Sequence, residues 1–406
     1  MIKNRFRALC AVLALSACGE PETAPETTLS PDVPWSAVTE AARGQTVYWN
    51  AWAGDERINA YLAWAAETVA ARYDVRLVHV KLADTAEAVS RILAEREAGR
   101  RTGGSVDLLW INGENFAALK QADMLHGPFV DRLPNAQKID FAAEPVFETD
   151  FTVPVEGFEA PWGLSKFVFI TDAARTPQPP RDFPQLLEWA QANPGRFTYP
   201  APPNFIGVSF LKQALLSVSA EPGQFAQPAG APPDIEAALA PLWAYLDALH
   251  PYMWREGRGF PASGPAQRQL FADSEVAIAM TFNPQEAASA VAAGQLPVST
   301  MTYGFTTGGL ANAHFLAIPA NARAKAGALV VVNFLLSPEA QARKADPRIW
   351  GDAPSIAFDR LSAEDQDRLA SLEGPDWESL GPSLDEPHPS WVDAIEAGWL
   401  ARYGGA

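Results

Sequence analysis

Cysteine is almost missing from this sequence, and where the two copies lie excludes two kinds of site. Of 406 residues only Cys10 and Cys18 are cysteines, and both fall near the amino terminus. A disulfide within the folded body therefore cannot form, and neither can a zinc site built from thiolates.

Positive charge, long apolar runs and paired histidines are also scarce. The chain has 31 Lys+Arg against 48 Asp+Glu, a formal net charge of −17, which argues against a nucleic-acid partner because phosphate backbones are repelled. No stretch of about 18 consecutive apolar residues occurs, so we expect no transmembrane helix. The five histidines are isolated, so we expect no metal and no cofactor.

The amino terminus has the pattern of an export signal. Three basic residues precede an apolar run over residues 8–15, which predicts a signal peptide over residues 1–17. Leu15-Ser16-Ala17-Cys18 resembles the bacterial lipobox, in which the cysteine is acylated and becomes the first mature residue. An ordinary secretory signal with an incidental cysteine is the alternative.

The composition of the following segment predicts a disordered tether. Residues 19–35 read GEPETAPETTLSPDVPW, with four prolines and four acidic residues, and such a composition cannot bury enough apolar surface to fold. We therefore expect a lipidated, disordered tether over residues 18–40. The protein would be exported to the periplasm or cell surface, with the lipid as its sole membrane contact.

From residue 45 onward, strand and helix patterns alternate. Strands are predicted over residues 46–52, 75–81 and 106–111, and Asp55 is placed to cap the first of the intervening helices. This order predicts an α/β fold with a parallel sheet covered by helices. A second α/β block is predicted over residues 163–309.

Three separated segments resemble extracellular solute-binding proteins of ABC importers. These are DLLWINGENF at residues 107–116, Phe282-Asn283-Pro284, and NAHFLAIPANA at residues 312–322 followed by VNFLLSPEAQ at residues 332–341. Within that group, family 1, the first two segments are similar to the YnjB-like branch. The resemblance extends from about residue 45 to the carboxyl terminus.

The resemblance implies a type II periplasmic-binding-protein fold, with two lobes, two crossover strands and a cleft between the lobes. Lobe 1 would comprise residues 41–162 and 310–406, and lobe 2 residues 163–309. The implied function is a monomeric, non-enzymatic receptor that passes a small molecule to the permease and ATPase subunits of an importer.

We expect the ligand site where strand ends, helix starts and crossovers face one gap. The predicted ligand-binding residues are Trp52, Asn112, Glu114, Asn115, Trp162, Lys166, Asn204, Phe205 and Asn283. Each has a structural alternative. The tryptophans could be core residues, the asparagines and Glu114 could cap helices, and Lys166 could be a solvated strand-edge residue.

Two ligand classes remain open. Helix amino termini favour an anion, whereas tryptophan rings beside Asp55, Glu56 and Glu114 favour an organic cation. A thiamine-like heteroaromatic cation with an anionic arm would satisfy both trends.

The alternative function is an exported hydrolase or lyase, which requires Glu114, Lys166 and His314 within hydrogen-bond reach of one another. Ser209 and Lys212 also match the S-x-x-K spacing of acyl-transferring serine enzymes. No S-D-N or K-T-G motif follows, so one helical turn explains that spacing.

The lipobox interpretation predicts that Cys18→Ser releases the protein from the membrane fraction, because the variant has no acceptor for the lipid. Cys10→Ser is the matched control, since Cys10 lies inside the apolar run and should leave anchoring unchanged. Membrane fractionation with immunoblotting measures both. A Cys18→Ser protein that still sediments with membranes would refute the lipid anchor.

Overall fold

The computed structural model describes residues 33–142, 144–372 and 378–404. The predicted signal peptide, Cys18 and most of the predicted tether lie outside these residues. Over the ranges described, no helix combines the length and apolar character needed to span a bilayer.

The strands form two main sheets and one hairpin. In chain order they are β1 (Thr46–Trp52), β2 (Arg76–Leu82), β3 (Leu108–Ile111), β4 (Thr149–Asp150), β5 (Val153–Pro154), β6 (Glu159–Lys166), β7 (Val168–Asp172), β8 (Ile278–Thr281), β9 (Thr300–Tyr303), β10 (Gly309–Ala317), β11 (Ala353–Pro354) and β12 (Ser383–Leu384).

Helices fill most of the connections between strands. They are α1 (Trp35–Ala42), α2 (Glu56–Tyr73), α3 (Ala86–Glu97), α4 (Glu114–Gln121), α5 (Phe183–Ala192), α6 (Phe205–Val218), α7 (Pro232–Leu249), α8 (Gly264–Ala272), α9 (Glu286–Ala292), α10 (Lys325–Leu335), α11 (Pro338–Ala345), α12 (Ala363–Ala370) and α13 (Ser390–Tyr403).

The larger sheet, which defines the first lobe, has the order β11-β6-β10-β3-β1-β2, with β12 beside β10. Strands β2, β1 and β3 are parallel, as the alternating pattern predicts, whereas β10 is antiparallel to both β3 and β6. The predicted cap is also confirmed, because the Asp55 carboxylate accepts the backbone N–H groups of Arg57 and Ile58 at the start of α2.

The second lobe is built on the antiparallel sheet β8-β7-β9. The chain enters it at Phe167, between β6 and β7, and returns through residues 304–308 into β10. The predicted second α/β block begins at residue 163, but residues 163–166 belong to the first sheet, because β6 stays paired with β10 as far as Lys166.

The carboxyl-terminal segment crosses between the lobes a third time. Strands β11 and β12 pair with the first sheet, but α13 packs into the second lobe, where Trp391, Ile395 and Trp399 join its core. Assigning all of residues 310–406 to the first lobe is therefore wrong for α13. The indole N–H of Trp399 donates to the Tyr199 hydroxyl at 2.8 Å, which fixes the helix there.

The predicted tether is too long at its carboxyl end. Helix α1 begins at Trp35 and packs against α10, with Val38 buried, so the last six residues of the span 18–40 are part of the folded body. The reason is apolar burial, which the proline-rich residues before Trp35 cannot supply.

Trp162 lies in the core of the first lobe. Its side chain is 0% exposed, and its ring is 5.3 Å from Trp49, 5.1 Å from Trp110 and 5.3 Å from Trp350, measured between centroids. The prediction that this ring lines the gap is therefore wrong. The Trp162 ring also packs against Tyr61 on α2, whereas Lys166, at the end of β6, hydrogen-bonds to Phe282 of the second lobe.

Trp162→Ala should lower the free energy of unfolding by about 3–5 kcal/mol, because a large side chain is removed from a packed core. Urea unfolding followed by tryptophan fluorescence measures the loss. Val298→Ala is the control, since Val298 is 92% exposed and should change stability by less than about 0.5 kcal/mol. A Trp162→Ala protein as stable as the parent would contradict the core assignment.

Candidate functional site

Backbone and side-chain hydrogen bonds join the two lobes where β6 and β8 end. The Lys166 N–H donates to the Phe282 carbonyl at 3.1 Å. The Asn283 side-chain amide donates to the Trp350 carbonyl of the first lobe at 3.2 Å. These contacts place the carboxyl end of β6 against the residues that connect β8 to α9.

An ion pair also crosses this boundary. The Asp55 carboxylate lies 3.7 Å from the guanidinium of Arg268 on α8, and Arg268 also pairs with Glu286 in its own lobe. Burial alone would raise the pKa of Asp55, but Arg57 and Arg268 outweigh burial and hold the pKa below its usual value. The carboxylate that caps α2 therefore also contacts the opposite lobe.

Helix α4 begins directly at the boundary. Gly113 caps it with φ of +64°, and a Cβ there would lie 2.7 Å from the Phe151 ring, so glycine is required. The Gly113 N–H donates to the Asp150 carboxylate at 2.6 Å. Glu114 is the first helical residue, and burial raises its pKa although the charge of Lys212 acts in the opposite direction.

Lys212 on α6 is the positive charge at the centre of the boundary. Its side chain is 1% exposed, and its ammonium lies 2.6 Å from the Glu386 carboxylate. The same ammonium is 4.1 Å from the centroid of the Phe151 ring of the first lobe, and 5.6 Å from that of Phe205 on its own helix. One ammonium is thus enclosed by two aromatic faces and a carboxylate.

The hairpin β4–β5 positions the Phe151 ring. Phe151 and Thr152 form its two-residue turn, with φ of +43° and +68°. Turns with two positive φ values favour Asn-Gly, and a β-branched threonine is costly there. The backbone therefore adopts an unfavourable conformation at the place where the ring contacts Lys212.

Beside the crossovers lies a buried chain of polar side chains. The Ser165 hydroxyl is 3.1 Å from Nδ1 of His314, and Nε2 of His314 is 2.9 Å from the Asp352 carboxylate. Lys344, which is 0% exposed, binds the same carboxylate oxygen. Burial would raise the pKa of Asp352, but His314 and Lys344 hold it below its usual value.

Comparison with known proteins assigns a family. A family model of bacterial extracellular solute-binding proteins matches residues 64–359. Protein YnjB of Escherichia coli strain K12 is 48% identical over 372 residues, which are 91% of this chain and 94% of that protein. The chain belongs to the bacterial extracellular solute-binding protein family.

Solved structures of solute-binding proteins share the fold. The periplasmic binding protein AfuA of Actinobacillus pleuropneumoniae, with fructose-6-phosphate bound, superimposes with a TM-score of 0.62 at 14% identity, covering 89% of this chain and 99% of that one. The spermidine/putrescine substrate-binding protein PotD of Streptococcus pneumoniae gives 0.58 at 13% identity, over 88% and 98%. The predicted two-lobed type II fold is confirmed.

Several predicted site residues of this solute-binding protein have structural roles. Asn204 caps α6 by accepting the Ile206 N–H at 3.2 Å, and Asn283 accepts the Gln285 N–H at 2.9 Å. Asn115 does not cap α4; it is buried and donates to Glu114 at 3.3 Å.

The remaining predicted residues lie at or near the lobe boundary. Lys166 is not a solvated edge residue; its ammonium is buried and donates to the Gly381 carbonyl. Trp52 and Asn112 are half-buried at the ends of β1 and β3, and Phe205 is half-buried at the start of α6. Phe205 lies against the Lys212 ammonium, whose charge also lowers the pKa of Glu114 in opposition to burial.

The structure does not assemble the catalytic group that the hydrolase or lyase alternative requires. Glu114 bonds with Asn115, Lys166 with Gly381, and His314 with Ser165 and Asp352. Among the residues the structure describes, no three His, Cys, Asp or Glu side chains are grouped to hold a metal ion.

We call six residues at the lobe boundary the boundary cluster: Glu114, Asp150, Phe151, Phe205, Lys212 and Glu386. Sequence reasoning did not identify four of them as site residues, namely Asp150, Phe151, Lys212 and Glu386. One signal was available, because a lysine within the apolar run of α6 cannot remain buried without an anionic partner. Glu386 and Phe151 lie in loop sequences where nothing local distinguishes them from neighbouring residues.

Asp352→Asn should lower the free energy of unfolding by about 3–5 kcal/mol, because the fully buried Lys344 loses its counter-charge. Chemical denaturation measures this loss. The double variant Asp352→Asn with Lys344→Met removes both charges and should recover most of it. Equal stability of the single and double variants would show that loss of the Lys344–Asp352 ion pair does not cause the decrease in the free energy of unfolding.

Proposed function

We propose that this solute-binding protein captures a small molecule between its two lobes and delivers it to the permease of an ABC importer. The observation that carries the proposal is the boundary cluster itself. Glu114 and Phe151 of the first lobe meet Phe205 and Lys212 of the second at a junction that three chain crossings hold together. Polar and aromatic groups from both sides thus converge at the hinge.

Opening of the lobes is required for this function. Lys212 is 1% exposed and Phe151 is 3% exposed, so a solute can reach them only if the lobes separate. Closure then buries the solute, and the closed form is what a permease would recognise. The PotD and AfuA relatives are a polyamine transporter's binding protein and a sugar-phosphate complex, which supports a small polar solute as cargo.

The remaining elements of the proposal concern location and partners. A lipid on Cys18 keeps the receptor on its membrane, in the periplasm or at the cell surface, and a permease with its ATPase receives the solute. The lipobox supports this arrangement, and the proline-rich composition of residues 19–34 is typical of a linker between an anchor and a folded body. A thiamine-like or other charged heteroaromatic solute agrees with the aromatic and charged cluster.

Solute binding should raise the melting temperature and reduce the radius of gyration, because binding to the closed form shifts the population toward closure. A thermal-shift screen over vitamins, amines, sugars and oxyanions selects the solute, and small-angle scattering measures the radius with and without it. A compound from the same screen that leaves the melting temperature unchanged is the control. Identical scattering at proven saturation would contradict hinge closure.

A further inference from the structure

In the cluster around Lys212, an ammonium is already bound by groups from both lobes and from the carboxyl-terminal segment. Phe151 comes from the hairpin β4–β5, Phe205 from α6, and Glu386 from the residues that follow β12. Glu386 is held in turn by the side-chain amide of Asn312 on β10, at 2.8 Å. Three independently anchored groups therefore surround one cation.

Carboxyl groups outnumber the charge they surround. The positive charge of Lys212 acts on Glu114, Asp150 and Glu396, and Glu386 is its direct partner. Asp150 is 1% exposed, and its Oδ1 atom has no hydrogen-bond partner. A buried carboxyl oxygen without a partner is costly, so the surroundings of Lys212 lack a hydrogen-bond donor at Asp150.

The excess of carboxyl groups over ammonium groups distinguishes two roles for Lys212: it could recognise an anionic solute, or it could occupy a site meant for a cation. If Lys212 recognised an anionic solute, the solute would add negative charge to a site that already holds four carboxyl groups. If a solute brings an ammonium, it can take the position between the two phenylalanine rings and Glu386. Opening of the lobes would separate Lys212 from the Phe151 ring, because the two belong to different lobes.

We propose that the solute carries an organic ammonium group, and that the Lys212 side chain occupies the position of that ammonium until the solute displaces it. This inference rests on the proposed solute-binding function and names the chemical class of the solute. Lys212 is thus an internal competitor, which places an ammonium against the aromatic faces and Glu386 while no cation is bound.

The proposal makes Lys212→Met informative, because an uncharged side chain of similar length cannot compete for the site. We measure dissociation constants by isothermal titration calorimetry with putrescine, spermidine, choline and thiamine, and with glucose and succinate as neutral and anionic probes. At least one of the cations should bind the parent, and Lys212→Met should bind it about tenfold more tightly or better. Lys212→Arg is the matched control and should not gain affinity, since its charge remains.

Two further variants test the aromatic enclosure if Lys212→Met fails to fold. Phe151→Leu keeps an apolar side chain but removes the ring, so affinity for the cation should fall by roughly 3- to 30-fold. Phe151→Tyr keeps the aromatic face and should retain more of the affinity than Phe151→Leu. Equal affinities for the leucine and tyrosine variants would overturn the enclosure of the cation by aromatic rings.

Other outcomes overturn the proposal in distinguishable ways. Binding of succinate that is lost in Lys212→Met would show that Lys212 recognises an anion. Binding of glucose or succinate without binding of any cation would agree with the solute-binding function and would refute the proposal that the solute carries an ammonium group. If no compound of the wider thermal-shift screen binds, the proposed function falls together with this inference.

Discussion

The antiparallel pairing of β6 with β10 sets the position of both lobes, because both direct crossovers leave from this pair. Strand β6 runs into the second lobe at Phe167, whose N–H donates to the Leu310 carbonyl at 2.7 Å, and β10 starts where the chain returns. The polar chain from Ser165 through His314 to Asp352 joins the same two strands and ties them to the carboxyl-terminal segment. The lobe rotation that the proposed function requires would therefore occur next to these buried polar contacts.

The buried charges around Asp352 and those around Lys212 are balanced differently. Lys344 and Asp352 satisfy each other in the interior, where a single missing partner would leave an uncompensated charge. Around Lys212, in contrast, several carboxyl groups share one ammonium, and burial raises the pKa of Asp150 well above its ordinary value. The first arrangement fixes each charge to one partner, whereas in the second the proposed solute ammonium would take the place of the Lys212 ammonium.

Local sequence patterns predicted those elements whose formation depends on residues close together in the chain. The Asp55 cap, the parallel strands β1 to β3 and the helix start at Asn204 follow from spacing and capping chemistry. Trp162 was misplaced because strand alternation does not show which part of β6 reaches the boundary. The packing of α13 on the second lobe and the enclosure of Lys212 by Phe151 and Glu386 depend on contacts between residues distant in sequence, which no local pattern encodes.

The third crossing, between β12 and α13, has a mechanical consequence. Two adjacent crossovers at β6 and β10 allow the lobes both to swing apart and to twist against each other. The carboxyl-terminal segment makes a third connection, through the pairing of β12 with the start of β10 and through Trp391 and Trp399 in the second core. If the lobes open as proposed, this connection would restrict both movements. Because the same segment supplies Glu386, opening would also change the position of the carboxylate that pairs with Lys212.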